Sequence, residues 1–214
     1  MTIRDQAASR RNFVIGGVTA AGGLLLAASG LEATAAPRPG PHPEDAWLGR
    51  LAGEAHHLFD ASDPRDGRLL SLMRHFHDTC RDTFGLVDGE IGTVGTFYGG
   101  TTFYGLDDSM WRKYRLGGTE AAEGNPWRVA PLLGGKPAPS AGIEALQRRG
   151  ATFILCRAAL VTRAGEVAER EGLPRDRVLA DMEAHLLPGV VLVASVIVAI
   201  QRAQRRGVTY YRVT

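Results

Sequence analysis

Gly150-Ala151-Thr152-Phe153-Ile154-Leu155-Cys156-Arg157-Ala158-Ala159-Leu160 is the stretch whose reading decides the fold. Residues 151–155 offer no alternating polar face. The run therefore reads as a strand covered on both sides, which is the habit of parallel sheets. Behind it, a helix starting at a Ser140 cap ends at Gly150, and ahead of it Arg157 opens a helix to about Gly172. Cys156 falls between strand and helix, either as a small hydrophobe filling a core or as a reactive thiol.

Working outward from this stretch, the pattern stays regular. Residues 175–187 read as a helix and 190–194 as a second apolar strand. Ser195 caps a helix carrying Ile197, Ile200 and Gln204, which stops at Gly207 with Arg202, Arg205 and Arg206 in its last turns. Residues 208–213 close the chain as a strand. Strands and helices alternating at this spacing imply parallel βαβ units with right-handed crossovers.

Upstream, Ile91 to Tyr98 is β-branched and aromatic, a strand, followed by a flexible Gly99-Gly100-Thr101-Thr102 loop. Residues 107–115 form a short helix, acidic at its start and basic at its end. Residues 116–139 are rich in Gly and Pro, a surface excursion. Further forward, Trp47, Leu48, Leu51, Ala55 and Leu58 recur at helical spacing over 44–59. A second helix runs to about Thr83, with Leu69, Leu72, Met73, Phe76 and Cys80 on one face. The expected fold is α/β, a three-layer α/β/α sandwich with a mainly parallel sheet. An N-terminal helical extension over 44–85 precedes an α/β domain over 86–214.

The first 35 residues stand apart. Ser9-Arg10-Arg11-Asn12-Phe13-Val14 resembles the bacterial twin-arginine export motif. A Gly- and Ala-rich apolar stretch follows it, and Ala33-Thr34-Ala35 gives a small-x-small cleavage pattern. The order of charge, apolar core and cleavage site predicts a signal peptide over 1–35, with the twin-arginine translocase as export partner. The alternative is an uncleaved anchor at the short end of what spans a bilayer. A Pro-rich linker over 36–43 comes next, and the mature chain is expected to be periplasmic or otherwise exported, without a stable membrane span. Outside the cytoplasm disulfides are permitted, so Cys80 and Cys156 either pair or stay free. A net charge of +2 over 214 residues, with no basic run, argues against a nucleic-acid surface.

Ligands of open parallel sheets bind outside the carboxyl ends of the strands. That rule selects the loops after Tyr98, Leu155 and Ala194. Cys156 lies at this edge and at a helix amino end, beside Arg157, and both would favour a thiolate. Cys80, on an apolar helix face, reads as packing. Gly99, Gly100 and Thr101 resemble an anion cradle of exposed backbone N–H groups, though no P-loop lysine follows. A ligand between that loop, Arg157 and Cys156 is the candidate arrangement. His56, His57, His75 and His77 are poorly spaced for chelation within either pair, and His185 sits at a helix end. No metal or cofactor is expected.

Three ordered segments carry a resemblance. They are Gly150 to Cys156, then Leu187-Pro188-Gly189-Val190 with Val193-Ala194-Ser195, and then Ala199 to Tyr211; the strand at 91–98 and Leu106 to Trp111 add to them. Over about residues 86–214 the sequence resembles the DsrE/DsrF-like family of sulfur-relay proteins. The resemblance implies a three-layer α/β fold, assembly into homo- or hetero-oligomers, and a sulfur donor or acceptor protein as partner. It also implies that Cys156 matches the cysteine that accepts sulfur as a persulfide. The chain departs from the family in its export signal, its front segment and its excursion at 116–139. The alternative of the same fold is a non-catalytic ligand-binding or oligomeric assembly module.

Overall fold

The computed structural model describes residues 42–51, 53–118 and 123–214. The expected signal peptide over 1–35 and nearly all of the Pro-rich linker lie outside the described residues. No helix among those described is long and apolar enough to cross a membrane.

The chain is built on a five-stranded parallel sheet. In chain order its elements are β1 (Ala55–Asp60), α1 (Arg68–Phe84), β2 (Ile91–Phe97), α2 (Asp108–Lys113), a small hairpin of β3 (Leu132–Leu133) and β4 (Lys136–Pro137), and α3 (Ile143–Arg148). They continue with β5 (Ala151–Cys156), α4 (Arg157–Glu171), α5 (Arg175–Ala184), β6 (Val191–Val193), α6 (Val196–Arg205) and β7 (Thr209–Arg212). The sheet order is β6-β5-β2-β1-β7, every neighbouring pair parallel. The chain steps outward from β1 to β6, and α6 then carries it back across to β7 at the opposite edge.

The central strands β2 and β5 are buried along their whole length, as their unbroken apolar runs require. Between them Gly95 faces Phe153, and a Cβ at Gly95 would lie 2.7 Å from that ring and 2.9 Å from the Met73 sulfur. Phe153 fills the space a side chain there would need, and its ring stacks on Phe97 at 5.2 Å.

The two faces of the sheet are covered unequally. Phe59, Phe97, Phe153 and Leu155 point into a core closed by α1, α2, α3, α4 and α5. Leu58, Val94, Ile154, Cys156 and Val193 point the other way, under α6 and a short 3-10 segment, Pro43–Arg50. The three-layer α/β/α sandwich is therefore present, with one thick outer layer and one thin one.

The front of the chain differs from the expected helix over 44–59. Its second half is β1, held between β2 and β7. The apolar steps of three and four fit a helix and show no strand alternation, but Gly53 adopts a φ of +99° and meets the Glu90 backbone so closely that a Cβ would lie 2.3 Å from it. The helix stops before that glycine, and two ladders of backbone hydrogen bonds fix the rest as a strand. Residues 44–85 are thus no helical extension, because β1 and α1 are the first β–α unit of the sheet.

Smaller differences have local causes. The 99–102 loop is the start of a 3-10 helix, Gly99–Gly105. Gly142, not Ser140, precedes α3, because Pro139–Ala141 forms its own 3-10 turn. α4 runs unbroken through Gly165. The excursion at 116–139 is pinned by buried Trp127 and Asn125, and the Asn125 amide donates to the Tyr104 and Leu106 carbonyls at 2.8 Å each.

Candidate functional site

Cys156 ends β5 and occupies the N-cap position of α4. Strand alternation turns its side chain, like that of Ile154, towards the thin face. There the thiol meets a different helix. The Val196 N–H, first in α6, donates to the Cys156 sulfur at 3.5 Å. β6 is paired to β5 with Val193 opposite Cys156, so the turn from β6 into α6 passes over the thiol. A helix amino end presents partial positive charge to whatever sits against it. Cys156 is 6% exposed and belongs to the cluster of Trp47, Leu48, Val193, Val196 and Ala199.

Arg157 does not serve the thiol as expected. Its guanidinium is held by Glu183 of α5, Nε to carboxylate oxygen at 2.7 Å. The charge beside Cys156 in sequence is thereby drawn towards the opposite face.

Gly99, Gly100 and Thr101 do lie at the carboxyl edge, after β2, but the N–H groups of Gly100 and Thr101, the Gly99 carbonyl and the Thr101 hydroxyl are engaged within the protein. The Gly100 N–H donates to the Ser62 carbonyl at 2.7 Å and the Thr101 N–H to the Tyr98 carbonyl at 3.0 Å. The Thr101 hydroxyl reaches the Ala61 carbonyl at 2.9 Å. The Arg163 guanidinium donates to the Gly99 carbonyl. The segment is a strut between β1, β2 and α4, and no hydrogen bond among the described residues joins it to Cys156.

Both cysteines are free thiols, so the alternative of a Cys80–Cys156 bridge is not taken. Cys80 is buried in α1, and burial pushes its thiol pKa up. The histidines disperse. His57 on β1 shares a 2.6 Å hydrogen bond with the Thr209 hydroxyl, His77 is fully buried against the Thr93 hydroxyl at 2.9 Å, and His75 is exposed. His185, just past α5, hydrogen-bonds through Nδ1 to the Asp181 carbonyl at 2.7 Å. No group of three His, Cys, Asp or Glu among the described residues is placed to hold a metal.

A second polar centre at the carboxyl edge was not legible beforehand. Asp60, the buried last residue of β1, accepts from the Thr96 hydroxyl at 3.1 Å, the Tyr210 hydroxyl at 2.7 Å and the Arg212 guanidinium at 3.1 Å. The one signal for it was an acid directly after Leu58-Phe59, which gains meaning only once 55–60 is read as a strand. Both of its oxygens are engaged by these donors, and it ties β7 to the sheet.

No protein-family model matches the chain, and no curated protein does. Among solved structures, a protein of unknown function from Methanobacterium thermoautotrophicum is similar, at 18% identity and a TM-score of 0.40, over 75% of this chain and all of the other.

Proposed function

We propose that the protein is a sulfur carrier of the DsrE-like kind, in which Cys156 holds sulfane sulfur as a persulfide. The observation that carries the reading is the placement of Sγ, at the carboxyl end of a central parallel strand and under the first N–H of α6. The sequence resemblance points to the same residue. The chemistry needs no metal and no general base at the site. The Cys156 thiolate attacks the outer sulfur of a donor persulfide, R–S–SH. The donor S–S bond breaks, the donor thiolate leaves and takes up a proton, and Cys156–S–SH forms. Delivery runs the same exchange in reverse, an acceptor thiolate taking the outer sulfur and Cys156 leaving as thiolate. In this reading the mature chain works outside the cytoplasm after export under the Arg10-Arg11 signal, with a sulfur donor or acceptor protein or a second copy as partner.

Incubation with a low-molecular-weight persulfide, followed by intact mass spectrometry and peptide mapping, tests the assignment. One added sulfur on Cys156, absent from Cys156→Ser and retained in Cys80→Ser, is expected. No added sulfur, or sulfur on Cys80 alone, overturns it. The burial of Cys156 favours a second reading, in which the thiol only packs and the fold serves as a ligand-binding or assembly module. Cys156→Ser would then shift stability and leave binding or assembly intact.

A further inference from the structure

Part of the layer over the Cys156 face is a separate piece of chain. Pro43–Arg50 is a 3-10 segment outside the sheet, a conformation with poorer hydrogen-bond geometry than an α-helix. Its Trp47 and Leu48 are buried in the cluster that holds Cys156. Three polar contacts fasten it. Asp45, itself buried, takes both arms of the Arg202 guanidinium from α6. The Glu44 carboxylate accepts the Ala194 N–H at 3.2 Å, and Arg50 donates to the Gly189 carbonyl at 3.3 Å. Between this strap and the β6–α6 turn lies a cavity of about 250 Å³, bordered by Glu44, Asp45, Trp47, Val193, Ser195 and Arg202. Val193 is the register partner of Cys156, so the cavity begins one strand away from the thiol.

The geometry points to Pro43–Arg50 as a latch that opens to give sulfur donors and acceptors access to Cys156. Lifting it breaks no ladder hydrogen bond of the sheet. It costs the burial of Trp47 and Leu48 and the ion pair of Asp45 with Arg202. The Glu44 carboxylate lies at the α6 amino end that faces the thiol, so opening also takes a negative charge away from that end. The Arg202 guanidinium holds the Asp45 carboxyl below the usual carboxylate range, which keeps the clasp charged at neutral pH. The latch rests on the reading of Cys156 as a working thiol, and accessibility can be measured without any sulfur transfer.

The test is the rate at which N-ethylmaleimide alkylates Cys156 in the folded protein, in a Cys80→Ser background. Asp45→Asn and Arg202→Gln each should raise that rate about tenfold, because each breaks the pair that anchors the strap, and the second also leaves the buried Asp45 carboxylate without its partner. The double variant Asp45→Arg with Arg202→Asp should return it to within about twofold of the parent, by remaking the pair in reverse. Glu44→Gln, at an exposed position, should raise it by about two- to threefold. Parental rates in Asp45→Asn and Arg202→Gln overturn the latch, as does a double variant that alkylates as fast as the single ones. If the Asp45 variants lose their cooperative melt, Glu44→Gln decides, an unchanged rate overturning the proposal. Faster alkylation without sulfur on Cys156 leaves the latch and removes the sulfur carrier. Sulfur gained at the parental rate in every variant does the reverse.

Discussion

Cys80 and Cys156 belong to opposite faces of one sheet and keep different company. Cys80 sits in α1, part of the layer of helices that closes the thick face. Nothing polar stands out as its partner, and burial pushes its thiol towards the neutral form. Cys156 faces the thin layer, where one helix turns its amino end to the sulfur and a detachable strap supplies the rest of the cover. Equal burial thus hides unequal prospects. A thiol on the buried face of a long helix is reached by moving that helix off its packing, whereas one near a strap is reached by moving that strap.

The largest expected difference between the faces is in stability. Phe153 stacks on Phe97, fills the space opposite Gly95 and is fully buried on the thick face. Phe153→Ala should cost about 4 kcal/mol in urea unfolding, the range for a large aromatic lost from a core. Trp47→Ala on the thin face removes an even larger buried side chain, from a strap rather than a strand. It should cost less than Phe153→Ala and speed alkylation of Cys156, while Phe153→Ala should affect both cysteines together. Equal losses, with no selective effect on Cys156, would erase the contrast between the faces.

The second expected effect is a pH dependence that belongs to the thick face alone. His77 is fully buried on the sheet-facing side of α1, with Nε2 at 2.9 Å from the Thr93 hydroxyl of β2. Burial, reinforced by the Arg149 charge and partly opposed by Asp88 and Asp78, lowers its pKa to about 4. The folded protein therefore holds a neutral imidazole that the unfolded chain would protonate near its ordinary value of about 6.5. Stability is full above that value and is lost as pH falls from about 6.5 to 4, by about 3 kcal/mol in total. His77→Gln should flatten this stretch of the stability–pH curve. A curve unchanged by the substitution would assign the acid sensitivity elsewhere.

How much of this was readable in the sequence follows from where the information lies. The strands β2, β5 and β6 and the helices α4 and α6 were legible because each carries its own period and its own stops, Gly150, Gly172 and Gly207 among them. β1 was not, because Leu51, Ala55 and Leu58 follow the steps of four and three of a helix, and a strand covered on both faces shows no alternation to set against them. The choice is made by Gly53 against Glu90 and by pairing to residues 91–95 and 209–212, none of which is local. The position of Cys156 at the strand end was legible for the same reason as β5. The partners of its neighbours were not. Arg157 follows the thiol in sequence yet pairs with Glu183, and the N–H that reaches the sulfur comes from residue 196.

The smallest expected effect on stability is the most direct probe of the thin face. Val196 is the first residue of α6, a position where proline is well tolerated because its ring presets the helical φ and the missing N–H has no partner within the helix. Ser195 before it is already extended, at φ −147° and ψ 125°, as the residue preceding a proline prefers. Val196→Pro removes the N–H that points at the Cys156 sulfur and sets the ring Cδ in its place, nearer the sulfur than the nitrogen's 3.5 Å, so the thiol must shift and the substitution should cost about 2 kcal/mol in stability. If that N–H supports the sulfur during exchange, persulfide loading of Cys156 should slow by about five- to tenfold, the weight of one hydrogen bond to a charged group. Arg157→Ala is the matching control. It breaks only a half-exposed pair with Glu183, should cost less than about 1 kcal/mol, and should leave loading unchanged. Slower loading in Arg157→Ala together with normal loading in Val196→Pro would return the thiol to its own helix and take it away from α6.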